Sequence, residues 1–397
     1  MRKILKLFLA VIFLLTIPAR GMPFNLGPDA EVSVLTCGPS NLIYAIYGHT
    51  AVRVKDPARH LDVAFNYGVF SFNAPHFVYR FAKGQTDYML VPERFSDFYE
   101  GYKLRGRSIY EQVLNLTLPE KQQIWNFLVE NAKPENREYR YNFFFDNCAT
   151  RVRDVVENQV DGTVVFNNET GERRTFREHV TDYQKVLPWT NFGIQLVVGS
   201  PADKVATARQ EMFLPDFLMK HFADAQIESA GEIRPLVKET HVLYESGQKI
   251  RSTFNLFSPV IVFSVLLILV MAVSLRQIRT RKTGYWIDYL LLIFTGLIGW
   301  VLLWFVIYSE HPAMHPNYSL FWALPANLVF AFVWMRKRWR PVLSWYWPAL
   351  AAWLILFLSF SFLIPQAFHA GFYLIVLMVL CRALLHSVVW LKENGRR

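Results

Sequence analysis

Residues 141–157 read YNFFFDNCATRVRDVVE. The aromatic run Tyr141, Phe143, Phe144 and Phe145 leads into Asp146-Asn147-Cys148. Val152, Val155 and Val156 then recur at helical spacing, so a helix is expected to start at about Cys148. Asp146 or Asn147 caps it through a side-chain oxygen. Cys148 therefore falls in the first turn, where unpaired N–H groups and the positive end of the macrodipole favour an anion. That placement predicts a lowered thiol pKa and a thiol nucleophile delivered to a helix N-terminus. The competing reading is a buried, inert cysteine.

Working upstream, residues 31–37 (EVSVLTC) read as a strand and 41–47 as a short helical turn. Gly48-His49 then enters an alternating strand over 50–55. Asp56-Pro57-Ala58-Arg59 is a turn, and 62–68 (DVAFNYG) the returning strand. A turn centred near residue 58 places His49 opposite about residue 67, with Asn66 beside it. A thiol nucleophile needs a base and the base an orienting partner. His49 is the best base, with Asn66 as orienter and Asp62 as its alternative. His60 and His76 lie in polar, turn-like stretches and read as surface. Further elements are a short helix at 77–82, strands at 86–92 and 108–116, and an amphipathic helix at 118–132 with Pro119 in its first turn. Downstream, 161–178 is polar and loop-rich, and 211–224 reads as helix despite Pro215.

Composition divides the 397 residues sharply. Arg2, Lys3 and Lys6, the apolar run 7–17 and Ala19-Arg20-Gly21 make 1–21 a signal peptide or signal anchor. Residues 22–250 have globular content and form the exported domain. Residues 254–397 carry five apolar spans, at 256–275, 286–308, 319–335, 345–365 and 371–391. Arg276, Arg279, Arg281 and Lys282 follow the first span, Arg336, Lys337, Arg338 and Arg340 the third, and Lys392, Arg396 and Arg397 the fifth. The connections at 309–319 and 366–370 carry no Lys or Arg. The positive-inside rule puts the basic segments and the C-terminus in the cytoplasm and the 22–250 domain outside it. The net charge of +10 is therefore membrane topology and not a nucleic-acid footprint. No metal-ligand spacing appears, and no cofactor is expected. The connection at 310–317, with His311, His315 and Glu310, is either a polar cap or a head-group or metal contact.

Gly48-His49 followed about a hundred residues later by Asn147-Cys148 resembles the circularly permuted papain-like group, which includes lecithin:retinol acyltransferase-like thiol acyltransferases. A closer resemblance is to the bacterial family with an Lnb-type N-terminal periplasmic domain. It is carried by Leu35-Thr36-Cys37-Gly38-Pro39, Tyr47-Gly48-His49-Thr50-Ala51-Val52-Arg53, Phe65-Asn66-Tyr67-Gly68, Phe144-Phe145-Asp146-Asn147-Cys148-Ala149-Thr150-Arg151 and Gly199-Ser200-Pro201-Ala202-Asp203. The match covers about residues 30–225. It implies an α+β, permuted papain-like extracytoplasmic domain followed by an α-helical membrane bundle in the bacterial inner membrane. It also implies N-acylation of lipoproteins, with Cys148 as the nucleophile and His49 as the base. The third member is not assigned by it.

The leading functional expectation is a membrane-bound thiol acyltransferase. Cys148 takes an acyl chain from a phospholipid donor as a thioester and passes it to the N-terminal amine of a lipoprotein. Phe144, Phe145, Asn147 and Arg151 are the expected substrate contacts. A cysteine peptidase or amidase of the cell envelope, acting on peptidoglycan peptides, uses the same dyad with water as acceptor. A non-enzymatic membrane protein with a structural Cys37–Cys148 disulfide is the third reading, because both cysteines share an oxidising compartment.

Overall fold

The computed structural model describes residues 24–70, 75–166, 173–247, 255–281 and 284–394. The expected signal at 1–21 lies outside the described residues. The strands, in chain order, are β1 (Glu31–Cys37), β2 (His49–Asp56), β3 (Leu61–Val69), β4 (Asp87–Arg94) and β5 (Ile109–Leu114). They continue with β6 (Glu138–Arg140), β7 (Thr163–Val165), β8 (Gln226–Ser229), β9 (Glu232–Pro235) and β10 (Val237–Tyr244). β10, β5, β1, β2, β3, β4 and β6 form one antiparallel sheet in that order, and β7–β8–β9 a small second one.

The sheet is central because β1 and β2 are largely buried on both faces. On one side the helix Cys148–Gln159 lays Ala149, Val152, Val155 and Val156 against Val52, Val54 and Phe65. Ile124 and Leu128 of the helix Leu118–Asn131 join the same cluster. On the other side the helix Phe95–Leu104 packs Phe98 and Tyr102 over Leu35, Ala51 and Ala64. Each buried Val, Leu, Ile or Phe side chain among these contributes about 1.5–3 kcal/mol.

Some expectations are corrected. The segment 211–224 is not one continuous helix: a short helix, Ala208–Glu211, ends at its first residue and a separate helix runs over Pro215–Ala223. Pro215 lacks an N–H, so it opens a helix instead of sitting inside one. The polar stretch 161–178 contains β7 and the start of the helix Phe176–Gln184.

Among the described residues four helices are long and apolar enough to cross a membrane: Pro259–Thr280, Trp286–Tyr308, Tyr346–Leu363 and Ala370–Leu391. The third of the five expected spans is instead a bent pair, Pro312–Phe321 and Ala326–Met335, meeting at 42°. Pro325 stands at the break. The pair still runs beside the length of Trp286–Tyr308. It crosses that helix at Gly296 and Gly299, where an added Cβ would come within 2.2 Å of Leu328 N and 2.3 Å of Ala323 O. It ends with the Trp334 carbonyl accepting from the Tyr289 hydroxyl at 3.5 Å. Within the bundle, Arg382 donates to both oxygens of Asp288 at 2.6 and 2.9 Å, and His386 Nε2 meets the same carboxylate at 2.9 Å. These buried charges are paired, as an apolar surround demands.

The N-terminal domain is clamped to the bundle, not merely tethered to it. The Ser309 hydroxyl donates to Ala82 O at 2.9 Å, Glu310 N to Lys83 O at 2.8 Å and His311 Nε2 to Phe81 O at 2.8 Å. Gly199 N donates to Ala313 O at 2.7 Å and Ser200 N to Pro316 O at 2.9 Å. Asn317 Nδ2 reaches Leu196 O and Val197 O at 2.9 and 3.0 Å. Phe192 of the helix Pro188–Val197 packs against Phe263 and Phe372 of the bundle. The connection 310–317 is thus a docking strap. Glu310 and His311 serve the contact between domains, which accounts for its polarity.

Candidate active site

Cys148 is the first residue of its helix, and Asn147 is the cap. Asn147 Oδ1 accepts from Ala149 N and Thr150 N at 2.9 and 3.0 Å, and Thr150 Oγ1 accepts from Asn147 N at 2.8 Å. This reciprocal box uses the orphan donors of the first turn. Asn147 Nδ2 donates to Phe143 O and Phe213 O at 2.7 and 2.8 Å. Its amide is therefore fully committed to holding the cysteine in place.

His49 opens β2, opposite Cys37 of β1. Gly48 before it has φ +85°, and a Cβ there would lie 2.9 Å from Cys37 O, so only glycine fits the turn. The β2–β3 register pairs Val52 with Phe65, and it brings Asn66 Oδ1 onto His49 Nε2 in a short hydrogen bond. Asn66 Nδ2 donates to Glu93 Oε1 at 3.0 Å, which turns its Oδ1 toward the imidazole. Nε2 must then carry the ring proton, leaving Nδ1 as acceptor. The alternative orienter Asp62 is elsewhere, paired with Arg53 Nη2 at 2.7 Å. His60 and His76 are exposed turn residues.

The β3 ladder is interrupted between Asn66 and Val69, and Gly68 there has φ +86°. A Cβ on Gly68 would stand 3.4 Å from Cys148 Cβ and 3.9 Å from both His49 Cε1 and Tyr139 Oη. The bare glycine thus faces the cysteine, the histidine and a tyrosine hydroxyl together. His49 and Cys148 both keep part of their surface open. Tyr102 stacks on the imidazole at 6.0 Å and 12°.

Burial lowers the His49 pKa to about 4, against the hydrogen bond that His49 donates to Asn66. Burial also raises the Cys148 thiol, opposed by the backbone N–H groups of Thr50 and Ala149 and by the charge of Arg107. The lowered thiol pKa expected from the helix terminus is therefore corrected: loss of solvation outweighs it. The resting pair is a neutral thiol beside a neutral imidazole. Cys37 is fully buried, and burial pushes its thiol far up. Both cysteines are free, with no disulfide between them.

The expected substrate contacts divide. Phe144 is core, packed edge-on against Phe176 and Phe213, and with Asn147 it offers nothing to a ligand. Phe145 is 49% exposed. Together with Asp146, Arg151, Tyr67 and Phe127 it lines a groove of about 340 Å³. Arg151 pairs with Asp146 and stacks on Tyr139 at 4.2 Å. Glu93, Tyr102, Arg107 and Tyr139 were not expected at the site. Their sequence surroundings are ordinary strand, helix and turn, and only the sheet order collects them.

Residues 25–187 match the family described as the Lnb N-terminal periplasmic domain, and residues 250–394 the Lnb transmembrane domain. The chain belongs to the Lnb-type family. Its N-terminal α+β domain is of the periplasmic type and its C-terminal part is membrane-embedded. The N-terminal match ends at residue 187, so the helix Pro188–Val197, which helps dock the periplasmic domain of this Lnb-type chain on its bundle through Phe192, lies in the interval between the two matches. No curated protein and no solved structure matches the chain.

Proposed function

We propose that this protein is a cysteine-dependent lipoprotein N-acyltransferase with a permuted papain-like catalytic domain. Cys148 Sγ attacks the ester carbonyl of a phospholipid, and His49 Nδ1 takes the thiol proton as the C–S bond forms. The ester C–O bond then breaks and His49 returns the proton to the departing alkoxide. The α-amine of a lipoprotein's first cysteine attacks the thioester, the C–N bond forms, the C–S bond breaks and the amine proton passes through His49 back to sulfur. Asn66 holds the imidazole, and Glu93 holds Asn66. The Cys148 backbone N–H and Tyr139 Oη, a buried hydroxyl without a partner among the described residues, stabilise the oxyanion. Phe145 and Arg151 contact substrate at the groove.

The observation that carries this reading is the His49–Asn66 pair beside Cys148 in a domain clamped to a membrane bundle. Two exposed apolar features favour a lipid substrate. Leu42, Ile43 and Tyr44, in the turn leading to His49, are 49%, 61% and 62% exposed. On the helix Phe77–Lys83, Tyr79 lies 5.8 Å from Trp304 of the bundle, in the manner of an interfacial aromatic belt. The deciding experiment compares lipoprotein N-termini by mass spectrometry in cells with and without the protein. N-acylated termini should disappear without it; unchanged N-acylation overturns the assignment.

In the proposed topology residues 22–250 are periplasmic, the bent pair is a complete fifth crossing and the C-terminus is cytoplasmic, in the inner membrane. A phosphatase reporter fused after Arg397 should be inactive and one inserted near residue 240 active. An active C-terminal fusion would make the bent pair a re-entrant segment.

A further inference from the structure

Arg107 is 5% exposed. Its Nε donates to Gly38 O at 2.7 Å, and its backbone N–H to Tyr102 O at 3.1 Å. Its guanidinium lies 4.7 Å from the centre of the Tyr102 ring, the ring that stacks on His49. Gly38 follows Cys37, the cross-strand partner of His49. Arg107 is thus fastened to the same sheet end as the base. Its Nη2 is buried and has no hydrogen-bond partner, and among the described residues no carboxylate pairs with it. Asp216 feels its charge but is held by the Tyr183 hydroxyl at 2.9 Å. A buried cation without a counter-ion is costly, and a stacked ring does not satisfy its N–H groups. Chains retain such a group where a ligand supplies the anion.

We propose that Arg107 is an anion receptor beside the nucleophile and takes the phosphate of the phospholipid donor, presenting its ester carbonyl to Cys148. This rests on the acyltransferase reading above. The chemistry recognised is a phosphate oxyanion, for which the planar guanidinium fork is suited. The source is a lipid head group, because the domain is held against a membrane, where phosphodiesters are the abundant anions.

The test uses the full chain in neutral detergent, without acceptor, and follows the Cys148 adduct by intact mass. Dioctanoyl phosphatidylglycerol should acylate wild type about 10–100-fold faster than dioctanoylglycerol, which has the same esters and no phosphate. Arg107→Gln should remove most of that preference, slowing the phosphatidylglycerol reaction far more than the diacylglycerol reaction, and Arg107→Lys should retain part of it. Wild type that does not distinguish the donors overturns the proposal whatever the variants do. So does an equal loss with both donors, which would make Arg107 a residue acting on the thiol and imidazole. Absence of any adduct sinks the acyltransferase reading instead. The receptor is then judged by calorimetry on the Cys148→Ala chain. Phosphatidylglycerol should bind more tightly than dioctanoylglycerol, and Arg107→Gln should abolish the difference. Inorganic phosphate binding as tightly as the lipid, or no difference between the lipids, overturns it.

Discussion

Incubated with phospholipid and no acceptor, the wild-type protein gains the mass of one acyl chain, on the peptide containing Cys148. Hydroxylamine releases it, because it cleaves thioesters, and an amine acceptor discharges it. Cys148→Ser loses turnover on the order of 10³-fold or more. The reason lies in the protonation states. Burial leaves Cys148 a thiol at rest, so attack requires proton transfer to one imidazole. A serine hydroxyl is far harder to deprotonate by the same base. Cys37→Ser still forms the adduct, since Cys37 is fully enclosed between β2 and β5 and its thiol is held protonated by burial. A fully active Cys148→Ser protein, an adduct on Cys37, or a Cys37–Cys148 disulfide in the active protein would remove the thiol mechanism.

His49→Ala slows acylation by about 10²–10⁴-fold, the usual worth of a general base. His60→Ala and His76→Ala stay near wild type, because both side chains lie exposed. Asn66→Ala costs about 10²-fold or less, through a misplaced imidazole. The pH profile carries a further signature. His49 must be neutral to accept the thiol proton, and its pKa is lowered to about 4. Single-turnover acylation should therefore hold steady as pH falls from 7 and be lost only as it passes through about 4. A histidine at its ordinary value would fail near pH 6.5. Full activity in His49→Ala, or an acid limb near 6.5 in wild type, contradicts this assignment of the base.

Much of the fold was legible because local chemistry leaves marks on the chain. Asp146-Asn147 before Cys148, with valines at helical spacing behind, specified a cap at one of the two and the buried face of the helix. Alternation over residues 50–55 and 62–68, joined by a Pro-containing turn, specified a hairpin whose register brought Asn66 to His49. The helix Phe95–Leu104 and the strands β8 to β10 are absent from the sequence reading, although that helix is amphipathic. The bent pair read as one span because hydropathy records apolar content and not direction.

Residue type and spacing alone determined the two-part architecture and the helix start at about Cys148, and they narrowed the partner of His49 to Asn66 or Asp62. Each depends on neighbours in sequence or on a single short turn. Tertiary structure alone decided which tautomer His49 holds, since Glu93 arrives from β4 to turn the Asn66 amide. It also decided that the Cys148 thiol is raised and not lowered, because desolvation depends on everything packed around the sulfur. The placing of Arg107 and Tyr139 came the same way. Each lies in a different strand connection or edge strand, and only the order of the seven-stranded sheet brings them to the nucleophile.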